Sequence, residues 1–223
     1  HCLQGDDLAT AIQAAHKSVI QAVASESGAA GMGSTIVALH SVGAHWEIAW
    51  VGDSRAYLWT ADPLGGQLQQ ISTDHSYVQM LFQSGAIEAD DMALHPDKNV
   101  ITQCLGWAKL KTVQVDRVHE KWHAGQSILL CSDGLNDELS DAQIGEILCA
   151  NPEPKQATEA LLQAALSAGG RDNISVQIIQ TLSPSVQPEP KIDPANSLAS
   201  HKFSIAMLGV FTLTLAALIW VAR

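Results

Sequence analysis

The chain is poor in positive charge, with 12 Lys and Arg residues against 23 Asp and Glu residues and a formal net charge of −11 at pH 7. An acidic surface repels phosphate backbones, so we expect no nucleic-acid partner. Charged residues of both signs make up only 16% of the 223 residues. So small a fraction suggests that part of the chain lies in a membrane.

Cysteine is also scarce, and its spacing excludes the common zinc sites. The four cysteines include no Cys-x-x-Cys pair, and none has a histidine at zinc-ligand spacing. Cys131 lies in an apolar run over residues 127–131, which is typical of a buried, reduced thiol. This pattern favours a reducing compartment.

Segments whose apolar residues have helical spacing alternate with strand-like segments along residues 6–182. Apolar residues spaced three and four apart predict an amphipathic helix over residues 6–24. The remaining predicted helices cover residues 77–83, 154–168 and a segment capped by Ser140 that ends at Leu148. Strands are predicted at residues 34–41, 44–51, 56–60, 67–71, 111–118, 127–131 and 174–182. The first four strands are expected to form a meander of antiparallel hairpins. The pattern as a whole predicts an α+β domain with helices packed on antiparallel sheets.

The last part of the chain has a different composition. A proline-rich stretch with few apolar residues predicts a semi-extended linker. Residues 203–221 are apolar or hydroxylic throughout and carry no charge, which predicts one transmembrane helix. The predicted organisation is a folded domain at residues 1–182, a linker at 183–202 and a membrane helix at 203–221. The charges that flank the helix are nearly symmetric and do not set its orientation.

Three acidic segments lie beside predicted strands. Asp53 directly follows one strand, Asp133 comes shortly after another, and Asp172 shortly precedes the last. Carboxylates at strand ends are the ligands that Mg²⁺ and Mn²⁺ prefer. If the three converge, their mutual repulsion requires cations between them. Each aspartate by itself also fits a turn or a helix cap.

Five motifs occur in a fixed order along the chain. They are Gly-Met-Gly-Ser-Thr at residues 31–35, Val-Gly-Asp-Ser-Arg-Ala-Tyr-Leu at 51–58, Thr-Asp-His-Ser-Tyr-Val at 73–78, Ile-Leu-Leu-Cys-Ser-Asp-Gly-Leu at 128–135 and Gly-Gly-Arg-Asp-Asn-Ile-Ser-Val at 169–176. In this order they resemble the bacterial metal-dependent serine/threonine phosphatases of the protein phosphatase 2C (PPM) family. The resemblance covers residues 1–182.

The resemblance implies a sandwich of two antiparallel sheets flanked by helices, with Mn²⁺ or Mg²⁺ ions in a cleft at one edge. Asp133 and Asp172 would be the catalytic residues that ligate the principal pair of ions. Asp53 would help Asp133 to hold a third, weaker ion, and Asn173 would orient the loop. The segment from Thr73 to Gly106 would be the flap that borders the substrate cleft.

The resemblance also implies a function. A metal-activated water would hydrolyse phosphoserine and phosphothreonine on proteins, in opposition to a serine/threonine kinase. The predicted linker and membrane helix resemble bacterial members that carry a cytoplasmic phosphatase domain on a single-pass anchor.

The first motifs of the family correspond to positions before His1. They supply an arginine that binds phosphate and an Asp-Gly pair that bridges the metals, and Asp6-Asp7 does not replace that pair. No signal peptide follows His1, and we expect the chain to continue a longer protein. By itself, the chain is expected to bind metal weakly, and it can be inactive.

Two other functions fit some of the residues. Ser54, His75 and an aspartate have the residue types of a hydrolase triad. The Gly-x-Ser-x-Gly signature of one such family is absent around Ser54. His95 is either a metal ligand or a solvated histidine of the flap. A non-catalytic, membrane-tethered module that binds phosphoproteins or regulates them is the alternative to an enzyme.

Overall fold

The structure is a computed structural model that describes residues 7–63 and 65–181. The strands are β1 (Ile36–Val42), β2 (His45–Val51), β3 (Arg55–Thr60), β4 (Gln67–Gln70), β5 (Asp116–Lys121), β6 (Gln126–Cys131) and β7 (Val176–Gln180). The helices are α1 (Leu8–Ala24), α2 (Tyr77–Gln83), α3 (Ala89–Met92), α4 (Asp133–Asn136), α5 (Asp141–Ala150) and α6 (Pro154–Ala168).

The strands form two antiparallel sheets, with the orders β1-β2-β5 and β4-β3-β6-β7. Successive side chains along each strand point to opposite faces of its sheet. Ile48 and Ile128 are 0% exposed and belong to the apolar cluster shared by the two sheets. The predicted α+β fold with two antiparallel sheets is confirmed.

Helices cover the outer faces of both sheets. On the three-stranded sheet, Leu8 and Ile12 of α1 join an apolar cluster with residues of β1 and β2. On the four-stranded sheet, Ile144 of α5 and Leu161 of α6 pack against β3 and β6. Asp7 caps α1 by accepting a hydrogen bond of 2.8 Å from the Thr10 amide. Four layers result: helix, sheet, sheet and helices.

The predicted meander is wrong at one point, between β2 and β3. These consecutive strands do not pair, because the chain crosses there from one sheet to the other. The alternation of apolar residues identifies the strands but does not state which strands are neighbours. Since each strand has one face toward the space between the sheets, a crossing buries both sets of apolar side chains.

The predicted strand at residues 111–118 also needs correction, since β5 begins only at Asp116. The side chain of Gln13 on α1 satisfies the backbone of Val113: it donates to the carbonyl oxygen at 2.5 Å and accepts from the amide at 3.3 Å. Val113 is therefore bound to a helix instead of a neighbouring strand.

The helices agree more closely with the sequence pattern. Those predicted at residues 77–83 and 154–168 have those bounds, and Ser140 forms a capping box with Gln143 at the start of α5. The short helices α3 and α4 were not predicted. Cys131 is a buried free thiol, as predicted.

Two predicted segments, the linker at residues 183–202 and the membrane helix at 203–221, lie outside the described residues. Within residues 7–63 and 65–181, no helix has the length and apolar character needed to cross a membrane.

We predict that Gly52→Ala destabilises the fold more than Gly43→Ala. Both glycines have positive φ, 108° and 58°, which an alanine adopts at a cost of about 1–2 kcal/mol. Only at Gly52 would the added Cβ collide, at 2.3 Å from Cγ2 of Thr35, whereas nothing lies within 4 Å at Gly43. Urea unfolding should show the larger loss for Gly52→Ala. Equal losses would mean that Thr35 does not constrain this corner.

Candidate metal centre

Asp53 lies in the corner that carries the chain from β2 to β3. Gly52, just before it, packs against Thr35 so closely that no side chain fits. On the other side, the Ser54 hydroxyl shares a hydrogen bond of 2.9 Å with the Thr35 hydroxyl. Thr35 therefore supports the corner on both sides of Asp53.

Asp133 is the first residue of α4, directly beyond strand β6, which is buried along its whole length. The Ser132 hydroxyl donates a hydrogen bond of 3.0 Å to the carbonyl oxygen of Asn173. A Cβ atom on Gly134 would lie 2.5 Å from that same oxygen. The corner after β6 thus touches the loop before β7, and this contact brings Asp133 and Asp172 to one edge of the sheet.

The loop that carries Asp172 is held by an ion pair. The Glu138 carboxylate accepts hydrogen bonds from the Arg171 backbone amide at 3.1 Å and from its guanidinium group at 2.9 and 3.2 Å. The Asn173 amide donates to the Asp172 carboxylate at 2.6 Å. Asn173 thus orders this loop through its backbone groups, and the predicted role of its side chain stays a prediction.

The three predicted aspartates are electrostatically linked through Asp133. Burial, followed by the negative charge of Asp133, raises the pKa of the Asp53 carboxyl to about 7. Burial, followed by the charge of Asp172, raises the pKa of the Asp133 carboxyl above its usual value. Asp53 and Asp133 are partly buried, whereas Asp172 is exposed. Carboxylates that repel one another in this way fit a hard divalent cation, which supplies the missing positive charge.

The three aspartates do not form one compact cluster. Among residues 7–63 and 65–181, no group of three His, Cys, Asp or Glu side chains is arranged to hold a metal ion. The charge of Asp133 acts on Asp53, and the charge of Asp172 acts on Asp133. Joint ligation by Asp53, Asp133 and Asp172 therefore stays a prediction.

A partly buried ion pair lies near Asp53, and the sequence analysis does not predict it. The Arg55 guanidinium donates to the Asp74 carboxylate at 2.7 and 3.0 Å, and to the Tyr57 hydroxyl at 3.1 Å. Tyr57 in turn donates to Asp141 at 3.0 Å. Arg55 and Asp74 both lie in the motifs quoted above. The signal was available, since an arginine in an apolar strand needs a carboxylate partner.

The segment between Thr73 and Gly106 leaves the sandwich and returns to it, and it is called the flap below. Its two ends are joined by a β-bridge between Ser76 and Ile101, and the Tyr77 amide donates to the carbonyl oxygen of Val100 at 2.8 Å. Large apolar side chains are exposed on it, and Leu94 is 85% exposed.

The flap also reaches the acidic edge. Lys98 Nζ lies 3.1 Å from the Asp137 carboxylate, and the charge of Asp137 contributes to the raised pKa of Asp133. The flap therefore contacts the acidic edge through Lys98, and its role at a substrate cleft stays a prediction.

The contacts of Ser54 and His75 argue against a hydrolase triad. His75 Nδ1 accepts a hydrogen bond from the Gly52 amide, and Nε2 bonds to Asp116. Both ring nitrogens are thereby occupied, whereas the Ser54 hydroxyl bonds to Thr35. His95 accepts a hydrogen bond from the Asp97 amide and packs edge-on against Tyr77, and both of these partners belong to the flap.

The chain is similar to known phosphatases over most of the described residues. The family model "Protein phosphatase 2C" matches residues 3–174. The serine/threonine phosphatase stp of Listeria innocua is 34% identical over 169 residues, which are 76% of this chain and 65% of that protein. The chain thus spans about two thirds of the length of this relative.

Solved structures give the same result. The crystal structure of the Mycobacterium tuberculosis serine/threonine phosphatase PstP/Ppp aligns with a TM-score of 0.66 and 33% identity, over 73% of this chain and 66% of that one. A PstP catalytic domain in complex with two manganese ions aligns with a TM-score of 0.64 and 31% identity, over 78% and 73% of the two chains. The chain therefore belongs to the protein phosphatase 2C family.

Proposed function

We propose that this chain forms the larger part of a metal-dependent phosphatase that hydrolyses phosphoserine and phosphothreonine on proteins. The observation that carries the proposal is the half-buried Asp133 carboxylate, whose pKa is raised by burial and by its neighbour Asp172. A protein that holds such groups together without a cation loses stability. The relatives are named as serine/threonine phosphatases, and one is described with two manganese ions.

In this proposal Asp133 and Asp172 hold the principal pair of Mn²⁺ or Mg²⁺ ions, and Asp53 shares a third with Asp133. Bound cations supply Lewis-acid chemistry, which acidifies water and offsets the charge of a phosphoryl group. The protein orients these ligands through the Thr35 contacts beside Asp53 and the Ser132 bond to the 170–175 loop. The role of each aspartate needs its own test.

The substrates in this proposal are phosphorylated proteins, and the phosphatase opposes a serine/threonine kinase. Lys98 of the flap contacts Asp137 at the acidic edge, and the flap also exposes large apolar side chains. In this proposal, a peptide around a phosphorylated residue lies against the flap. An acidic protein of this kind gains its attraction for a phosphate group from bound cations.

We predict that Asp133→Asn abolishes Mn²⁺-dependent hydrolysis of a phosphothreonine peptide by the natural protein that contains this chain. The amide keeps the size of the side chain but removes its charge. Loss of Lewis-acid stabilisation worth several kcal/mol lowers kcat by about 100-fold or more. Phosphate release measures the rate.

Asp90→Asn is the matched control, because Asp90 lies exposed on α3 of the flap. It should retain the wild-type rate. Activity retained in Asp133→Asn would refute the metal assignment. A wild-type protein that binds the phosphopeptide without cleaving it would favour the non-catalytic binding module instead.

A second prediction separates metal-dependent hydrolysis from a serine nucleophile. EDTA should abolish activity, and added Mn²⁺ should restore it. Ser54→Ala loses the hydrogen bond to Thr35, worth about 1 kcal/mol, and with it one support of the Asp53 corner. It should need more Mn²⁺ but keep a rate similar to wild type at saturating Mn²⁺, because Ser54 is not a nucleophile in this mechanism. Activity that resists EDTA and is lost in Ser54→Ala would exclude the proposed mechanism.

We also propose that residues 203–221 anchor the protein in a membrane, with the phosphatase domain in the cytoplasm. An uncharged apolar run of this length after a proline-rich linker supports a single span. The domain's free cysteines are consistent with a reducing compartment.

The anchor can be tested through Cys149, a free cysteine on the surface of α5. In sealed cells, a thiol reagent that does not cross membranes should leave Cys149 unlabelled, and it should react after the cells are opened. The protein should sediment with membranes, and a chain that ends at Thr181 should not. Labelling in intact cells would reverse the orientation, and a soluble full-length protein would disprove the anchor.

A further inference from the structure

His75 lies at the base of the flap and is only 8% exposed. The Gly52 amide donates a hydrogen bond of 3.2 Å to Nδ1, so this nitrogen carries no proton. The proton therefore lies on Nε2, which donates to the Asp116 carboxylate at 3.3 Å. Both ring nitrogens have a defined partner, and the ring has one tautomer.

The backbone of His75 makes two more connections. Its amide donates to the carbonyl oxygen of Gly52 at 2.9 Å, and its carbonyl oxygen accepts from the Thr102 amide at 2.7 Å. Gly52 thus forms hydrogen bonds with both the side chain and the backbone of His75. Through Thr102, the same residue is tied to the returning end of the flap.

Gly52 directly precedes Asp53, and we propose that His75 is a positioning residue for the metal centre. By accepting the Gly52 hydrogen bond, Nδ1 fixes the corner from which the Asp53 side chain extends and so sets the affinity for the divalent cation. This inference rests on the proposed function, since it assumes that Asp53 is a metal ligand.

The corner needs such support for two reasons. Gly52 has φ +108°, and a glycine gives the chain more freedom than any other residue. The negative charge of Asp133 also favours conformations in which the two carboxylates move apart. A hydrogen bond from a buried ring opposes both tendencies at the residue next to the ligand.

Asp116 in turn holds the ring in place. Its second carboxylate oxygen accepts a hydrogen bond of 2.9 Å from the side chain of Gln114. The chain of contacts therefore runs from Gln114 and Asp116 through the imidazole to Gly52. Groups that orient metal ligands in this way commonly change metal affinity by about 10- to 100-fold when they are removed.

Two substitutions distinguish the hydrogen bond of the ring with Gly52 from its hydrogen bond with Asp116. In His75→Asn, an oxygen on the γ carbon can replace Nδ1 and keep the Gly52 bond, while the Asp116 bond is lost. In His75→Gln, the polar end lies one bond farther out, so the Asp116 bond can be kept and the Gly52 bond is lost. If Nδ1 positions the corner, only the glutamine variant should bind metal poorly.

The matched control is His16→Gln. His16 is 0% exposed, its Nδ1 accepts from the Gly106 amide at 3.1 Å, and its Nε2 bonds to the carbonyl oxygen of Leu110 at 2.9 Å. The substitution makes the same chemical change at a buried histidine that does not contact the Asp53 corner. It should lower the melting temperature without changing Mn²⁺ affinity.

The experiment measures Mn²⁺ binding by calorimetry and hydrogen exchange of a peptide that contains Gly52, both in the natural protein. We expect His75→Asn to resemble wild type. His75→Gln should bind Mn²⁺ about 10- to 100-fold more weakly and exchange faster at Gly52. If His75→Gln does not fold, Asp116→Ala tests the same contact chain at a side chain that is 36% exposed. Without the carboxylate, the imidazole can carry its proton on Nδ1, and that tautomer cannot accept from the Gly52 amide, whereas the asparagine amide of His75→Asn has no such tautomer. Asp116→Ala should therefore weaken Mn²⁺ binding in the same direction as His75→Gln by a smaller factor.

Equal loss of affinity in the asparagine and glutamine variants would overturn the inference, as would a loss of the same size in His16→Gln or unchanged affinity in Asp116→Ala. Phosphothreonine hydrolysis is recorded in parallel. A wild type that binds Mn²⁺ but does not hydrolyse the peptide refutes the proposed function, and the order of Mn²⁺ affinities still reports on His75. Normal hydrolysis with identical affinities in all variants refutes only the role of His75.

Discussion

The repulsion between half-buried carboxylates is the constraint around which this fold is arranged. Asp133 stands at the end of a fully buried strand, and its charge adds to burial in raising the pKa of Asp53. Separating the two would relieve the repulsion, yet the surrounding chain holds each in place. The Thr35 contacts fix one corner, and the Ser132 bond fixes the other to the loop before β7. Holding the carboxylates close together lowers the free energy of unfolding, and such a cost is common where a protein binds a cation.

The flap and the sandwich share their supports at this edge. Asp74, at the start of the flap, pairs with Arg55 on β3, and the next residue, His75, bonds to Gly52. The Lys98 contact with Asp137 comes from the far part of the flap. A displacement of the flap base would therefore also disturb the corner that carries Asp53. Substrate access and ligand geometry are connected by a few short bonds in this arrangement.

Local patterns in the sequence were sufficient for much of this structure. The bounds of α2 and α6, the Ser140 cap and most strands follow from periodicity and capping residues, which are properties of neighbouring positions. The crossing between β2 and β3 and the late start of β5 did not follow, because they depend on which distant segment supplies a partner, as Gln13 does for Val113. At the candidate site, the motifs single out the three aspartates, and their role as ligands stays a prediction. The hydrogen bonds that hold them, from His75 and Glu138, join residues far apart in sequence and have no local signature.

The closed base of the flap affects how freely its length can change. The isolated β-bridge between Ser76 and Ile101 holds the two ends of the segment side by side. Once the ends are held together, the entropy of the enclosed loop grows only with the logarithm of its length, and doubling that length costs about 0.6 kcal/mol. Insertions at exposed positions of this loop therefore cost the sandwich little stability, whereas changes at the buried Val78 do not share that freedom. Evolution can reshape the surface that borders the acidic edge without rebuilding the sheets that support it.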